Sequence, residues 1–143
     1  MYSKFGQFIN GKWLEAEKKE TYEVINPATE EIIGNASKAS SLDVQKALKS
    51  AQQGLGIWKN TDPWKRSNII RRVADLIREK KQVLAKWMAI ENGKPLLEGV
   101  AEANGSADIF EWNSEETKRI FGQTVESRNK NTRIHVYLSL IHI

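Results

Sequence analysis

The chain begins with short apolar runs separated by turn residues, a pattern typical of β-strands. Within residues 7–14 the pair Asn10-Gly11 lies between apolar residues, and this dipeptide readily takes the positive φ angles of a tight hairpin turn. A second β-rich run, 22–25, stops at Asn26-Pro27 because proline cannot donate to a sheet ladder. Residues 29–34 predict a turn and another short strand. We therefore expect several short strands before the first helix.

Helical periodicity replaces the strand pattern after residue 40. Ser40 predicts an N-cap, and Asp43 completes a capping box from the third helical position. Gly54 and Gly56 predict the end of this helix. One apolar face recurs at helical spacing and consists of Val44, Ala47, Leu48, Ala51 and Leu55.

The second helix has the clearest start and stop signals. Asp62 is a predicted cap, and Pro63 suits the first helical position, where its missing N–H costs nothing. Asn92-Gly93 predicts the end of the helix, and Pro95 lies just beyond. The apolar positions predict a buried stripe of Ile69, Val73, Leu76, Ile77, Leu84, Trp87 and Met88.

A third helix is predicted from about residue 96 to Ile120, with Gly122 after it. Gly99 and Gly105 weaken this helix, because glycine costs about 1 kcal/mol against alanine in a helix interior. Small residues at these positions also permit close packing against a neighbour. The apolar positions are Val100, Ala103, Ala107, Phe110 and Ile120.

The last predicted strand covers residues 131–137. Ile134 and Val136 alternate with Arg133 and His135, as in a strand with one face buried, and no partner strand is visible in the sequence. The chain as a whole therefore predicts an α/β protein with short strands, three helices and a final strand.

Composition places these 143 residues among globular proteins, with 40% apolar and 28% charged residues. The chain lacks cysteine, which excludes disulfides and a thiol nucleophile here and favours a reducing compartment. No apolar stretch approaches the length of a membrane span. We therefore expect no membrane segment, no secretory signal and a cytoplasmic location.

The net charge of +4 raises the alternative of a small helical nucleic-acid-binding module. Arg66, Arg71 and Arg72 would then contact phosphates. However, cations and acids are interleaved along the chain, which is typical of a solvated face. Ion pairing on the second helix, for example with Asp75, accounts for the arginines without a ligand. We therefore expect no nucleic-acid partner.

The sequence contains no recognisable catalytic motif. Gly54-Leu55-Gly56 lacks the third glycine of a dinucleotide-binding loop and follows a helix instead of a strand. His135 is the only histidine before residue 138, so no metal-ligand cluster is indicated, and we interpret it as a strand residue facing solvent. A hydrolase triad cannot be assembled either.

Residues 138–143 resemble the translated end of a common sequencing adapter. An apolar tail has no natural role at the end of a soluble domain, so we set these residues aside as one would a fusion scar. Continuation of the last strand is the alternative. We expect the natural reading frame to continue past Tyr137.

A family pattern covers residues 8–137. The sequence resembles the N-terminal segment of the aldehyde dehydrogenase superfamily, in several short motifs with the right order and spacing. These motifs are Phe8-Ile9-Asn10-Gly11-Lys12-Trp13, Val24-Ile25-Asn26-Pro27-Ala28-Thr29, Asp43-Val44-Gln45-Lys46-Ala47, Trp58, Arg66 with Arg72, Glu91-Asn92-Gly93-Lys94-Pro95 and Glu111-Trp112-Asn113-Ser114-Glu115-Glu116.

Part of the third helix points to a subgroup. It resembles succinate-semialdehyde dehydrogenases, although relatives acting on other aldehydes share part of the pattern. The matching residues are Glu111-Trp112, Glu115-Glu116, Lys118-Arg119-Ile120 and Gly122.

The resemblance implies that a longer parent enzyme oxidises an aldehyde, with succinate semialdehyde as the expected substrate, to a carboxylate with NAD or NADP. In the family a cysteine thiolate attacks the carbonyl. An asparagine amide and a backbone N–H stabilise the oxyanion. Hydride passes to the nicotinamide, and a glutamate activates the water that hydrolyses the thioester. All of these family residues lie beyond this chain, so we expect no catalytic or cofactor-binding residue in it and no activity from it alone.

The resemblance also implies an incomplete Rossmann-like domain. Residues 1–125 would form the N-terminal part of the cofactor-binding domain, and 126–137 would begin the bridging strand used in homo-oligomerisation. Because the last strand would be left unpaired and the sheet that receives the helices would be missing, we expect the isolated chain to be poorly soluble or partly unfolded. A regulatory or scaffold domain that is complete as written is a third interpretation, against which the tail and the final strand argue.

One family site maps onto this chain. Many members hold a structural monovalent cation between a backbone carbonyl before the Asn-Pro pair and an acid before Asn-Gly-Lys-Pro, here Ile25 and Glu91. Oxygen donors suit a hard cation, and an acid near a helix C-terminus benefits from a positive partner. The alternative is a simple pairing of Glu91 with Lys94 or a solvated acid, because the subgroup often departs from this site.

Phe110 and Trp112 are predicted to be core residues. The resemblance offers an alternative, because the third helix passes near the substrate entrance in the family. In that case these side chains would line the substrate tunnel.

Overall fold

The structure, a computed structural model, describes residues 6–138. Residues 139–143, most of the predicted tail, lie outside the described residues. Within residues 6–138, six short strands pair as three separate two-stranded antiparallel sheets, and the chain also forms three helices. In chain order the elements are β1 (Gln7–Ile9), β2 (Lys12–Leu14), β3 (Thr21–Ile25), β4 (Ile32–Ser37), α1 (Ser41–Lys59), α2 (Pro63–Asn92), α3 (Leu96–Glu116), β5 (Gln123–Glu126) and β6 (Arg133–Val136).

The first hairpin forms as predicted. Asn10 has a φ of 52° and Gly11 a φ of 74°, the positive values that match a tight turn to the twist of the strands. Phe8 on β1 faces Trp13 on β2, and their rings lie 5.2 Å apart. This cross-strand aromatic contact adds to the pairing of two strands that are each only three residues long.

The second sheet pairs β3 with β4. Its register shifts between Val24 and Ile25, so β3 ends in a bulge. The Asn26 N–H then donates to the Glu31 carbonyl at 2.9 Å and closes the turn. The strand and turn predicted for residues 22–34 are therefore confirmed.

The start of α1 confirms the predicted capping box. The Ser40 hydroxyl accepts from the Asp43 N–H, and the Asp43 carboxylate accepts from the Ser40 N–H at 2.8 Å. The same carboxylate, which is buried, also accepts from the Glu17 N–H at 3.1 Å. Asp43 thus fixes the loop after β2 to the first turn of α1.

The predicted end of α1 is wrong. The helix continues through Gly54 and Gly56 to Lys59. Neither glycine takes a positive φ, so neither forms the left-handed cap that would stop the helix. The predicted apolar face of α1 is present but exposed in the described part of the chain, at Val44, Leu48 and Leu55.

Both ends of α2 are as predicted. The Asp62 carboxylate accepts from the Trp64 N–H at 2.8 Å, and Pro63 is the first helical residue. Gly93 ends the helix with a left-handed φ of 73°. The predicted buried stripe is only partly buried, because Ile69 and Leu84 are exposed.

Small residues form the interface between α2 and α3, and this α2–α3 interface is the core of the described chain. A Cβ built on Gly99 would lie 3.0 Å from the Ala85 carbonyl oxygen, so the helices approach closely there, as predicted. No atom lies within 4 Å of the same position on Gly105, so that glycine does not serve this packing. The buried residues of the two helices are Ser67, Ala74 and Ala85 on α2 and Gly99, Ala103, Ala107 and Ser114 on α3.

The third helix ends four residues earlier than predicted, at Glu116. The Thr117 hydroxyl donates back to the Asn113 carbonyl at 2.8 Å. The Lys118 N–H donates to Glu115, three residues back, so the last turn tightens and the helix stops.

The final strand has a partner that the sequence did not reveal. β6 pairs with β5, and Val125 faces Ile134 across the hairpin. The prediction that this strand is left without a partner is therefore wrong. The alternation of apolar and polar residues identified β6, but β5 has only four residues and a single β-branched aliphatic side chain.

Candidate functional site

The two residues of the predicted cation site lie at the ends of neighbouring segments. Ile25 is the last residue of β3, and Glu91 lies in the last turn of α2. Pro27 follows Ile25 by two residues, and Gly93 follows Glu91 by two residues. If Gly93 carried a Cβ atom, that atom would lie 3.0 Å from Cγ of Pro27. The turn after β3 therefore lies against the end of α2.

Hydrogen bonds fix the turn on the β3 side of this contact. The Glu30 N–H donates to the Asn26 carbonyl at 2.8 Å, and the Ala28 N–H donates to the Asn26 side chain at 2.9 Å. On the α2 side, the left-handed φ of Gly93 turns the chain sharply away from the helix. Both segments thus have a defined backbone path where they meet.

Lys94, the alternative partner suggested for Glu91, lies beside α3. The Lys94 ammonium contacts the Glu102 carboxylate on α3, and only 22% of the Lys94 side chain is exposed. Lys94 therefore has an acidic partner other than Glu91. Residues 6–138 contain no group of three or more His, Cys, Asp and Glu side chains that could hold a metal.

A shallow groove of about 530 Å³ runs along α3 beside α2. It carries one aromatic side chain, and the rest of its lining is charged. The lining residues are Arg71, Asp108, Glu111, Trp112, Glu115 and Arg119.

Glu111 is the centre of the charges in this groove. One of its carboxylate oxygens lies 3.1 Å from Nη1 of Arg71, and the other contacts Arg78. Arg78 also lies 2.7 Å from Asp108, and Arg71 lies 3.7 Å from Glu115. The two arginines are about two helical turns apart on α2, so both point towards α3. They therefore connect the two helices at two positions along their length.

These contacts keep the paired groups charged. Hydrogen bonds to Asp108 and then Glu111 raise the pKa of the Arg78 guanidinium. The hydrogen bond from Lys118 lowers the pKa of the Glu115 carboxyl, with smaller help from the charges of Lys118 and Arg71. The ion pairs in the groove therefore tie α2 to α3.

The end of α3 is held to the start of α2 by Lys118. Its ammonium lies 2.6 Å from the Glu115 carboxylate and 5.0 Å from the centre of the Trp64 ring. A cation over an indole face is attracted by the electrons of the ring. Lys118 thus links the two helices beyond the last turn of α3.

Two of the arginines considered as phosphate contacts have acidic partners. Nη1 of Arg72 lies 2.8 Å from the Glu79 carboxylate, and Arg71 pairs with Glu111. Ion pairing on the second helix is therefore confirmed for Arg72, with Glu79 in place of the suggested Asp75, whereas Arg71 pairs with an acid on α3.

The prediction that Phe110 and Trp112 are core residues is wrong for the described part of the chain. Phe110 is 41% exposed and Trp112 is 69% exposed. The face of α3 that meets α2 is made of small residues such as Ala107, and the helical spacing turns the indole of Trp112 away from it. The alternative, that these side chains line a substrate path, stays a prediction.

The two neighbouring glycines of α1 do not form a dinucleotide-binding loop. Gly54 and Gly56 lie inside α1, so they do not form a phosphate-binding loop between a strand and a helix. Nδ1 of His135 lies 3.2 Å from the Thr124 hydroxyl on the paired strand, and the side chain is exposed, which confirms its interpretation as a strand residue. The chain has no cysteine to act as a nucleophile.

The sequence analysis did not predict the ion pairs around Glu111. Glu111 and Glu115 lie one turn apart on α3, and Arg71 and Arg78 lie two turns apart on α2. This matched spacing of opposite charges on consecutive helices is a signal for pairing. The register between the helices, which the sequence does not provide, decides which charges meet.

Among residues 6–138, no helix combines the length and hydropathy that crossing a bilayer requires.

Comparison with known proteins places the chain among relatives of known activity. The chain is 38% identical over 129 residues to a glutarate-semialdehyde dehydrogenase of Pseudomonas aeruginosa, and the match covers 90% of this chain and 27% of that protein. It is 34% identical over 128 residues to an NADP-dependent succinate-semialdehyde dehydrogenase of Escherichia coli, again over 90% of this chain and 27% of the relative. The chain therefore spans about a quarter of the length of these relatives.

Solved structures agree with the sequence matches. A variant of an aldehyde dehydrogenase from Bacillus cereus superposes with a TM-score of 0.86 at 29% identity, over 93% of this chain and 28% of that one. An NADP-dependent enzyme of Escherichia coli superposes with a TM-score of 0.84 at 34% identity, over 89% of this chain and 26% of that one. The model of the aldehyde dehydrogenase family matches residues 13–139. Sequence and fold together show that this chain belongs to the aldehyde dehydrogenase family.

Proposed function

We propose that this chain is part of an NAD(P)-dependent dehydrogenase that oxidises a dicarboxylic semialdehyde, with succinate semialdehyde as the expected substrate. The observation that carries the proposal is the similarity, over 90% of the chain, to enzymes acting on glutarate and succinate semialdehyde. These two aldehydes share a distal carboxylate and differ in chain length. The shared chemistry therefore supports the substrate class more strongly than the individual substrate.

In this proposal the chain supports the chemistry but does not perform it. Oxidation through a thioester needs a thiolate, and this sequence contains no cysteine. Gly54 and Gly56 lie inside α1, so they do not form a phosphate-binding loop for a dinucleotide. The nucleophile and the coenzyme pocket would thus belong to the part of the parent enzyme that this chain does not include, and the chain alone would be inactive.

Residues 126–137 would begin the bridging segment through which the parent forms a homo-oligomer. The β5–β6 hairpin supports this assignment, because it lies beyond the helices and all residues of both strands are exposed. An exposed edge of paired strands is a surface to which another strand can add.

A monovalent cation bound by the Ile25 carbonyl and the Glu91 carboxylate is the second part of the proposal. The contact of Pro27 with Gly93 supports it, because it brings the two segments together. A backbone carbonyl oxygen and a carboxylate oxygen are the kinds of donor that a hard cation prefers.

The test compares the parent enzyme with this chain. Both are purified, and NADH or NADPH formation is followed by absorbance with succinate semialdehyde, glutarate semialdehyde and butanal, which lacks the distal carboxylate. The proposal predicts that the parent has a much higher kcat/KM for the two semialdehydes than for butanal, and that this chain gives no signal with any of them.

Two outcomes would overturn the proposal. Equal kcat/KM for butanal and the semialdehydes would contradict the proposal that the substrate is a dicarboxylic semialdehyde. NAD(P)H formation by the chain alone would remove the claim that the chemistry lies elsewhere. The parent without substrate serves as the control for background reduction.

A further inference from the structure

The dipeptide Asn-Gly occurs three times in the chain, each time in a different backbone setting. Asn10-Gly11 forms the turn between β1 and β2, Asn92-Gly93 lies at the end of α2, and Asn104-Gly105 lies inside α3. The first two copies are both followed by lysine, so they are the same tripeptide. A difference in reactivity between these two copies therefore has to come from the backbone and its contacts.

An asparagine followed by glycine has an intrinsic reaction in water. The backbone nitrogen of the glycine loses its proton and attacks the side-chain amide carbon of the asparagine. A carbon–nitrogen bond forms, ammonia leaves and a cyclic imide remains. Water then opens the imide at either carbonyl, which gives aspartate or isoaspartate. Glycine favours the attack because it has no Cβ to obstruct the close approach.

The native backbone decides how readily this ring closes. A hydrogen bond from the glycine N–H holds the proton that must leave. The asparagine backbone also has to rotate to bring the two atoms together, and neither a helix nor a tight turn has the required dihedral angle. The reaction therefore proceeds from a locally opened state, and the copy that opens at the lowest cost reacts first.

The copy at the end of α2 is held by three contacts. The Gly93 N–H donates to the Ala89 carbonyl at 2.9 Å. Cγ of Pro27 lies only 3.0 Å from the position that a Cβ of Gly93 would occupy. The next residue, Lys94, contacts Glu102 on α3. Asn92 is exposed to water, but rotation of its backbone would have to break these contacts together.

The copy inside α3 is held by the helix itself. Asn104 is half-buried, and each N–H in a helix interior donates to the carbonyl four residues back. Ala103, the residue before it, is buried in the α2–α3 interface. Opening at this position therefore requires part of the core of the described chain to separate.

The hairpin copy is held by much less. In residues 6–138 no backbone carbonyl accepts from the Gly11 N–H, and the position of a Cβ on Gly11 has open space around it. Asn10 and Gly11 are both exposed. β1 and β2 have three residues each and, within the described chain, pair only with each other. A two-stranded hairpin of this size is marginally stable, so it opens at low cost.

We propose that Asn10 is a site of spontaneous deamidation in the native protein, whereas Asn92 and Asn104 are protected. The inference goes beyond the proposed function, because the reaction needs only water and residues of this chain. Isoaspartate lengthens the backbone by a carbon and adds a negative charge. The product therefore disturbs the turn that sets the register of Phe8 against Trp13.

The test compares the three copies within one protein. The parent enzyme is incubated at mildly alkaline pH, where the backbone nitrogen loses its proton more readily, and deamidation at each asparagine is followed by mass spectrometry of peptides. The same incubation in guanidinium chloride gives the intrinsic rate of each copy. The expected native-to-denatured rate ratio is several-fold higher at Asn10 than at Asn92 or Asn104. A ratio at Asn10 that is equal to or below the ratio at Asn92 overturns the proposal.

One variant tests the stated cause of the difference. Glu102→Ala removes the contact that holds Lys94, so the ratio at Asn92 should rise while the ratio at Asn10 stays the same. Glu126→Gln on β5 is the control for loss of a negative charge and should change neither ratio. An equal rise at both asparagines, or no rise at Asn92, contradicts the inference. Because no step measures NAD(P)H formation, failure of the proposed function leaves this result unaffected.

Discussion

Gly99 lies so close to Ala85 that a methyl group on Gly99 would stand 3.0 Å from the Ala85 carbonyl oxygen and 3.1 Å from its Cα. The atoms in the way are backbone, which cannot rotate aside. The α2–α3 interface therefore depends on glycine at position 99, which has no side chain.

Gly99→Ala should destabilise the protein. Alanine gains about 1 kcal/mol of helix propensity over glycine. Overpacking a tight interface costs about 1–3 kcal/mol, so we expect a net loss of about 1 kcal/mol in the free energy of unfolding. Thermal unfolding of the parent, followed by far-ultraviolet circular dichroism, measures the change.

The matched control is Gly54→Ala in the interior of α1. No atom lies within 4 Å of its Cβ position, so only the gain in helix propensity applies and the melting temperature should rise. If both variants shift the melting temperature in the same direction, the account of the α2–α3 interface is wrong.

Asp43 should make stability depend on pH. Its carboxylate accepts hydrogen bonds from the Ser40 backbone, the Ser40 hydroxyl and the Glu17 backbone, and the first of these contributes most to lowering its pKa below the ordinary value of 3.8. Because the pKa is lowered in the folded state, the stabilisation is fully present above pH 3.8 and is lost as the pH falls through the folded pKa.

Asp43→Asn removes this titration while keeping the size of the side chain. We expect the variant to melt below the wild type at neutral pH, and the difference to shrink as the pH falls below 3.8. Melting temperatures recorded from neutral pH downwards test this, with Glu126→Gln on β5 as the control for a general loss of negative charge. A difference that is constant at all pH values would contradict the assigned role.

The cation site predicts an ion-specific gain in stability. Replacing tetramethylammonium with sodium or potassium at constant ionic strength should raise the melting temperature of the parent, because only a small cation fits between carbonyl and carboxylate oxygens. Glu91→Gln should abolish the gain, and Glu126→Gln should keep it.

The alternative for Glu91 gives a different pattern. If Glu91 simply pairs with Lys94, then Glu91→Gln should lower the melting temperature by the same amount whichever monovalent cation is present. That pattern would contradict the proposed cation site.

The isolated chain should expose far more apolar surface than the parent. We expect strong binding of an apolar fluorescent dye, weak near-ultraviolet circular dichroism and a broad thermal transition, because the large apolar side chains have few neighbours. A sharp cooperative transition with a full near-ultraviolet signal would contradict this. The side chains that are more than 60% exposed include Phe8, Leu48, Ile57, Trp64, Leu97, Ile109, Trp112, Phe121 and Tyr137.

Local signals were sufficient for most element boundaries. Asp62 and Gly93 mark the ends of α2 because a side-chain cap and a left-handed glycine act within one turn of the chain. The Asn10-Gly11 hairpin is fixed in the same local way. The prediction that α1 ends at Gly54 was wrong because glycine permits a helix to end but does not require it. The backbone at Gly54 stays helical.

Features that depend on contacts distant in sequence were not predictable in the same way. Helical spacing selects the apolar positions of α1, yet Leu48 is exposed because no described element covers it. The pairing of Glu111 with Arg71 needs the register between two helices. β5 became a strand because β6 lies beside it, and its own four residues gave little signal.

The reading frame beyond Tyr137 in the source DNA tests the central claim most directly, since the claim is that these residues belong to a longer enzyme whose reactive thiol lies elsewhere. Sequencing the source DNA through this region provides the measurement. The account predicts an open frame that continues past Tyr137 and, much later, encodes a cysteine. A natural stop codon directly after Ile143 would contradict it.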